Sequence, residues 1–299
     1  MTPLAALAAA PPGAAVAFGP WFAAAADFIL NRAALLVAGV PYRVAELEAY
    51  YHGPAHPDPF AHRDPVQLDA GRWYFHRTGG AYRGGSFKGV DLTLGDGRAT
   101  FGVLVRAVVA PDGTRIDGPS LVVDHLLART GEGTVAALAA RTAAFPAWAT
   151  SAPLALVARD TPDTPDILPV LATARVGLTL RRGARLANAP WYLGQPYRYL
   201  TDPRRSRKGR PQTVIALHQR GHDAATIHEA TGVPRAAVAR YVAAFAAGSA
   251  APDFARYVGK ELDALGFCAF LGSWAATYGA AESPRIAIRG LSAAPRIAR

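Results

Sequence analysis

Three side chains at alternating positions, Glu46, Glu48 and Tyr50 in the segment YRVAELEAYY, are the first that could do chemistry. Successive side chains of a strand point to opposite faces, so this set shares one face. An acidic pair beside an aromatic ring suits hydrolysis: one carboxylate activates water while the ring holds a flat substrate. A second group, His52, His56, Asp58 and His62, has the spacing of metal ligands. Pro57 and Pro59 force it into a loop and no cysteine lies near it, so no metal or other cofactor is expected. The single cysteine, Cys268, leaves no intrachain disulfide framework, suits a reducing compartment, and lies in an apolar run that predicts burial, not reactivity.

The elements that must position these residues are short runs rich in Val, Leu, Tyr and Phe, separated by Gly, Pro and Asp. YRVAELEAYY, GRWYFHR, SFKGVDLTLG and ATFGVLVRAV read as strands of an antiparallel sheet. Flanking helices are expected at 21–36, at 120–128 with Ser120 as N-cap, and at 134–144. The fold class is therefore α+β, a mainly antiparallel sheet with flanking helices, followed by an all-α region. Residues 1–19 read as a flexible tail. The first basic residue is Arg32, after Asp27, which does not fit an export signal. The apolar stretches are broken by proline, so no membrane partner is expected.

The 299 residues carry 32 Lys and Arg against 22 Asp and Glu, a net charge of +10. Disordered and fibrous classes are excluded by the 51% hydrophobic content. Only Lys88, Lys208 and Lys260 are lysines. That arginine excess, with the alanine excess, fits a GC-rich genome, so arginine number alone names no ligand. Position says more. From Asp202 onward there are 14 basic and 7 acidic residues, a surplus of seven out of the total ten. Its densest part is Arg204, Arg205, Arg207, Lys208 and Arg210, which reads as a linker from 204 onward that binds nucleic-acid phosphate; a solvated linker is the alternative.

After the linker, PQTVIALHQRGHDAATIHEATGVPRAAVARYVAAFAAG forms three amphipathic segments separated by Gly221-His222-Asp223 and Thr231-Gly232-Val233-Pro234. Asp223 is placed as an N-cap, Gly232 as a helix stop, and Pro234 in the next first turn. The layout resembles the helix-turn-helix of resolvase-type and regulator proteins. That resemblance implies a third helix in the major groove, with Arg235 and Arg240 facing phosphate or base edges. A plain three-helix packing module is the competing reading. A further helical stretch, DFARYVGKELDALGFCAFLGSWAATYG, completes the chain's apolar pattern.

The stretch VAELEAYYHGPAHPDPFAHRDP resembles the alkyladenine (3-methyladenine) DNA glycosylase family, with Glu46, Glu48, Ala49, Tyr50, Gly53, Pro54, His62 and Arg63 on its first signature. GRWYFH, FGVLVRAV, Gly118-Pro119-Ser120, ARVGL and the segment from Trp191 to Tyr199 follow in the family's order, so the resemblance covers about residues 20–203. It implies that Glu48 activates the attacking water, Arg106 buttresses that site, and Tyr50 and His62 contact the base. His76 falls on a stacking position usually held by tyrosine, from which it stacks on the base or protonates it as it leaves. Thr78 to Gly85 would be a hairpin tip whose Tyr82 and Arg83 fill the vacated stack. Asp91 replaces the family's asparagine beside the base; as an acceptor only, it is expected to favour amino-bearing or cationic bases over hypoxanthine. Leu121 stands where lysine is usual, and the loop before His62 is longer.

The chain accordingly reads as a tail (1–19), a glycosylase-like domain (20–203) and a basic helical DNA-binding domain (204–299), a monofunctional DNA glycosylase of the cytoplasm, associated with the nucleoid. Its partner would be duplex DNA with a modified base. Lys88, the lone lysine before residue 204, falls on no Schiff-base position of that family, so water is the expected nucleophile. A non-catalytic DNA-binding regulator on a degenerate glycosylase fold is the main alternative; a hydrolase of free nucleosides or RNA is a third.

Overall fold

The structure, a computed structural model, describes residues 18–159, 167–181 and 188–279. Helix α1 (Phe18–Asp27) continues as a π-type turn over Phe28–Arg32, and the chain then becomes strand β1 (Ala33–Val37). The helix expected over 21–36 ends early because Ala33, Leu35 and Val37 alternate into the core, a period that only a strand can bury. Phe18 and Gly19, expected in the tail, open α1; the rest of that tail lies outside the described residues. Strands β2 (Val40–Gly53), β3 (His56–Pro57), β4 (Ala70–Phe75), β5 (Arg77–Thr78), β6 (Ala81–Tyr82), β7 (Val90–Leu94), β8 (Thr100–Val109) and β9 (Arg115–Asp117) follow. Next come helices α2 (Pro119–Thr130) and α3 (Val135–Ala143), strands β10 (Leu154–Ala158) and β11 (Leu171–Thr173), the short helix α4 (Ala189–Gly194) and strand β12 (Arg198–Leu200).

The molecule is α+β with a mainly antiparallel sheet and flanking helices. Strands β10, β1, β2, β8, β7 and β4 lie side by side, and β12 and β3 also pair with β2. Strand β2 is the axis, and a register shift near Ala45 sets what it presents. Before the shift Tyr42 and Val44 enter the main core; after it Leu47, Ala49 and Tyr51 do. The extra residue moves the alternation by one, so Glu46, Glu48 and Tyr50 turn together to the opposite face. Helices α1, α2 and α3 contribute Phe22, Val122, Val123, Leu126 and Leu138 to the same core. Ser120 is not the cap of α2. Gly118, at φ 119°, holds that position, and Ser120 Oγ instead donates to Gly85 O at 2.8 Å. Thr134 does cap α3, accepting from Ala137 N.

The remaining helices are α5 (Arg210–Gln219), α6 (Ala224–Thr231), α7 (Arg235–Ala250) and α8 (Ala264–Tyr278). Asp223 caps α6 by accepting from Thr226 N, and Gly232 ends it at φ 69°, a left-handed backbone that favours glycine. Pro234 is the N-cap of α7, one position before the first turn. Helix α8 starts only at Ala264, where Asp263 accepts from Gly266 N; before it Phe254 and Tyr257 pack through a short 3-10 turn. Cys268 is fully buried and burial pushes its thiol up to about 12.

The segment 204–210 does not separate two cores. Leu171 and Leu200 of the sheet share one apolar cluster with Val214, Leu217, Ile227 and Val238 of the helices. Leu180, Ala189 and Leu193 share another with Ile215, Phe267, Phe270 and Trp274. Among the described residues no helix is long and apolar enough to cross a membrane.

Candidate active site

The face of β2 opposite the core carries the chemistry. Arg106, on the neighbouring strand β8, donates from Nε to Glu46 Oε1 at 2.8 Å, and its Nη1 lies 3.2 Å from Glu48 Oε2. Tyr50 donates its hydroxyl proton to the same Oε2 at 2.7 Å, and the Val176 amide donates to Glu48 Oε1 at 2.7 Å. Three donors thus converge on a carboxylate that is fully buried. Such a group can be buried because both its oxygens are met, Oε1 by an N–H and Oε2 by an O–H and a cation.

Beneath it lies a second ionic layer. Glu46 also accepts from Arg198 Nε at 2.8 Å and from Ser206 Oγ at 2.8 Å. Burial works against its charge, but the guanidiniums of Arg198 and Arg106 prevail and hold its carboxyl at about 2. Arg175 donates to Asp58 at 2.5 Å, to Ala49 O at 3.1 Å and to Tyr192 O at 3.2 Å, and its guanidinium lies 4.5 Å from the centre of the Tyr50 ring. Arg175, Arg198 and Asp58 are fully buried, and the sequence reading assigned none of the three to the catalytic constellation. Burial foremost, then the Glu48 charge, raises the Tyr50 phenol well above its ordinary value.

In front of this wall is a cavity of about 220 Å³ lined by Tyr50, His62, His76, Asp91, Arg106 and the exposed Phe87, among others. It is smaller than the several hundred Å³ of sites for drug-sized molecules and suits a single flat ring system. Glu48 stands one side chain behind it, reached through Tyr50 and Arg106. The imidazoles of His62 and His76 sit 4.2 Å apart. His76 Nε2 is 2.7 Å from Asp91 Oδ1, and Gln67 Nε2 donates to Asp91 Oδ2 at 2.8 Å. Asp91 therefore reaches the cavity, with one of its oxygens bonded to His76 and the other to Gln67. Burial first, and then the neighbouring His76, pushes His62 down to about 4.

A second, larger depression of about 760 Å³ adjoins the cavity and shares Phe60, His62, Arg83, Gly177 and Leu178 with it. Arg63, Arg77 and Arg83 line this depression. Strands β5 and β6 form its hairpin rim, turned through Gly79 and Gly80 at φ 58° and 84°, the left-handed pair of a tight hairpin. Tyr82 does not project from that hairpin. Its ring packs back toward the core beneath Arg77, which donates to its hydroxyl at 2.9 Å. Arg83 stays on the rim, with Nε donating to Thr78 Oγ1 at 2.8 Å. The aromatic side chain that does stand out at the mouth is Phe87, 74% exposed. Sequence reasoning passed over Phe87, although an apolar side chain inside the polar, glycine-rich segment RGGSFKG was the available signal.

The histidines of the proline-rich loop do not converge on a metal. His52 pairs with Asp58 O, His56 with the Tyr197 hydroxyl, His62 with the Tyr74 hydroxyl, and Asp58 with Arg175. The basic residues Arg204, Arg205, Arg207, Lys208 and Arg210 are exposed, as are Arg235 and Arg240 on α7. Ser206, in their midst, is buried against Glu46 and Arg198, so the linker is moored to the ionic layer below the cavity.

No known family model matches the chain. A stretch of 117 residues, 34% of this chain, is 37% identical to an uncharacterized protein of Acanthamoeba polyphaga mimivirus. The chain spans about half the length of that curated relative, 54% of it.

Proposed function

We propose that the protein is a monofunctional DNA glycosylase, which hydrolyses the N-glycosidic bond of a modified base flipped out of duplex DNA. The observation that carries this reading is the convergence of Tyr50, His62, His76 and Arg106 on one ring-sized cavity backed by Glu48. A base inside a duplex is out of reach, so it must leave the stack, and aromatic faces in the pocket replace the contacts it loses. His62, His76 and Tyr50 supply those faces. Water at the sugar C1′ passes its proton to Glu48 by way of the Tyr50 hydroxyl, which already donates to that carboxylate. Arg106 keeps Glu48 oriented, and the Glu48 charge stabilises the cation-like sugar as the bond breaks. Phe87 at the mouth, in place of Tyr82, fills the vacated stack beside Arg83. The exposed linker arginines and a helix-turn-helix built from α5, α6 and α7, with Arg235 and Arg240 facing outward, hold the duplex.

One observation favours a second reading. Glu48 has no contact with solvent, and every neighbour satisfies it. A non-catalytic DNA-binding regulator would keep such a residue for stability alone. The test is a panel of oligonucleotides carrying alkylated, deaminated and bulky bases, scored for alkali-labile abasic sites. Base release from any member is the expected result; duplex binding with no release from any member is the regulator's.

A further inference from the structure

We infer that a second cavity, between the sheet and the helices, binds a small hydroxy acid, with its anionic group at Arg220, its hydroxyl at Gln212 and an apolar body between them. This site stands independently of the glycosylase reading. The cavity, of about 120 Å³, is walled by Thr173 of β11, Gly194 at the end of α4, Gln212 and Ala216 of α5, Arg220 as the C-cap of α5, and Trp274 of α8. None of the residues that line it lines the cavity in front of Glu48. Gln212, Ala216, Gln219 and Arg220 fall at i, i+4, i+7 and i+8, so α5 turns one face to it. Two polar groups on that face are unanswered. Gln212 is 8% exposed, and its Oε1 is shut off from solvent without a hydrogen bond. Arg220 is half-buried, makes no ion pair or side-chain hydrogen bond with a described residue, and is the one charged side chain among the described residues that line the cavity. Burial pushes its guanidinium below its ordinary value, and no carboxylate among the described residues offsets this. A desolvated cation and an unmet carbonyl oxygen both cost stability until something in the cavity meets them.

The rest of the wall is apolar or already bonded. Thr173 Oγ1 donates to Ala174 O at 2.9 Å and accepts from Arg198 Nη1 at 3.2 Å. Trp274 Nε1 donates to Trp191 O at 2.9 Å, and a Cβ at Gly194 would strike the Trp274 ring, so that ring is a fixed apolar wall. The spacing of the two open groups then sets the shape of the ligand. From Gln212 to Arg220 the helix rises about 12 Å, and the Arg220 side chain leans back toward the helix N-terminus. A single inorganic ion cannot reach both groups, whereas a body about one ring long can. The volume lies below that of sites for drug-sized molecules, which limits the body to one small ring or a chain of like size. Gln219 is exposed, so the cavity meets solvent at the Arg220 end, and the solvent-free Gln212 oxygen marks its inner end. The acid therefore enters hydroxyl first. Its O–H donates to Gln212 Oε1, its carboxylate accepts from Arg220, and its body lies against Trp274, Leu271 and Ala216. Bridging β11, α5 and α8, it stabilises the folded chain by mass action.

The probe is 4-hydroxybenzoate, titrated into the full chain and followed by calorimetry and by thermal melting. It should bind saturably and raise the melting temperature. Benzoate lacks the donor and 4-hydroxybenzyl alcohol lacks the charge, so each should bind wild type at least ~10-fold more weakly. These two comparisons need no variant. Arg220→Met should weaken 4-hydroxybenzoate binding by ~10-fold or more, yet melt without ligand no lower than wild type, because the guanidinium has no partner to lose. Gln212→Leu should abolish the advantage of 4-hydroxybenzoate over benzoate. The assignment would be overturned by the absence of saturable binding, by equal binding of either analogue, or by a Gln212→Leu variant that keeps the advantage. Undiminished binding by Arg220→Met would overturn it as well, since the acid would then sit elsewhere on the molecule.

Discussion

At the scale of single residues, the site joins a few polar groups to an aromatic interior, and His56 shows the cost. It is buried between the Phe18 ring, 4.5 Å away, and Tyr192, and its Nε2 meets the Tyr197 hydroxyl at 2.9 Å. Burial pushes its imidazole down to about 4. The unfolded chain takes up the proton near pH 6.5, so the folded state is fully stable above that pH and loses stability as pH falls toward 4. The loss reaches roughly 3 kcal/mol at the lower end of that window. Denaturant unfolding at pH 7 and pH 4.5 should therefore show a steeper decline in wild type than in His56→Phe; identical declines would show that His56 is not the group responsible. That Glu46, Glu48 and Tyr50 share one face was legible in the sequence because alternation along a strand is a local property, whereas Arg106, on β8, was suggested only by the family resemblance. Arg175 and Arg198 were not legible, since their carboxylates, Asp58 and Glu46, lie 117 and 152 residues away in the chain. Only the fold reveals such a pairing.

At the scale of elements, the strands β2, β4, β7 and β8 were readable from their runs of Val, Leu, Tyr and Phe, and the misreadings have physical causes. The chain 21–36 is apolar on both sides of Asp27, Asn31 and Arg32, so periodicity could not mark where α1 gives way to β1. The pairing of β1 with β2 and β10 decides it. The hairpin of β5 and β6 was located, but which of its side chains faces outward depends on Arg77 covering Tyr82. Helix α7 presents Arg235 and Arg240 to solvent while Val238 is fully buried against the sheet-contacting cluster. If this helix enters the major groove, each arginine that meets a phosphate adds about 0.9 to the slope of log affinity against log salt. Arg235→Ala and Arg240→Ala should each flatten that slope by about this amount. An unchanged slope in the double variant would remove α7 from the interface.

At the scale of the whole molecule, the composition correctly put the positive surplus late in the chain, but it made the linker look like a boundary between independent parts. Ser206 and the carbonyls of Lys208 and Gly209 are bonded to Arg198, which in turn holds Glu46 beside Arg106. Leu200, fully buried, belongs to the cluster formed by the helices. The protein should thus unfold in one calorimetric transition, and Leu200→Ala should lower that whole transition, by about 2–5 kcal/mol of stability. Two separable transitions would contradict this coupling. The account of function turns on Glu48, whose carboxylate receives Tyr50, Arg106 and the Val176 amide within 3.2 Å. The direct measurement is single-turnover base release by wild type and by Glu48→Gln on the best substrate of the oligonucleotide panel, with duplex affinity measured in parallel. The glycosylase account predicts at least a ~10²-fold loss of release in the variant with affinity nearly intact. Release by Glu48→Gln at the wild-type rate would contradict it.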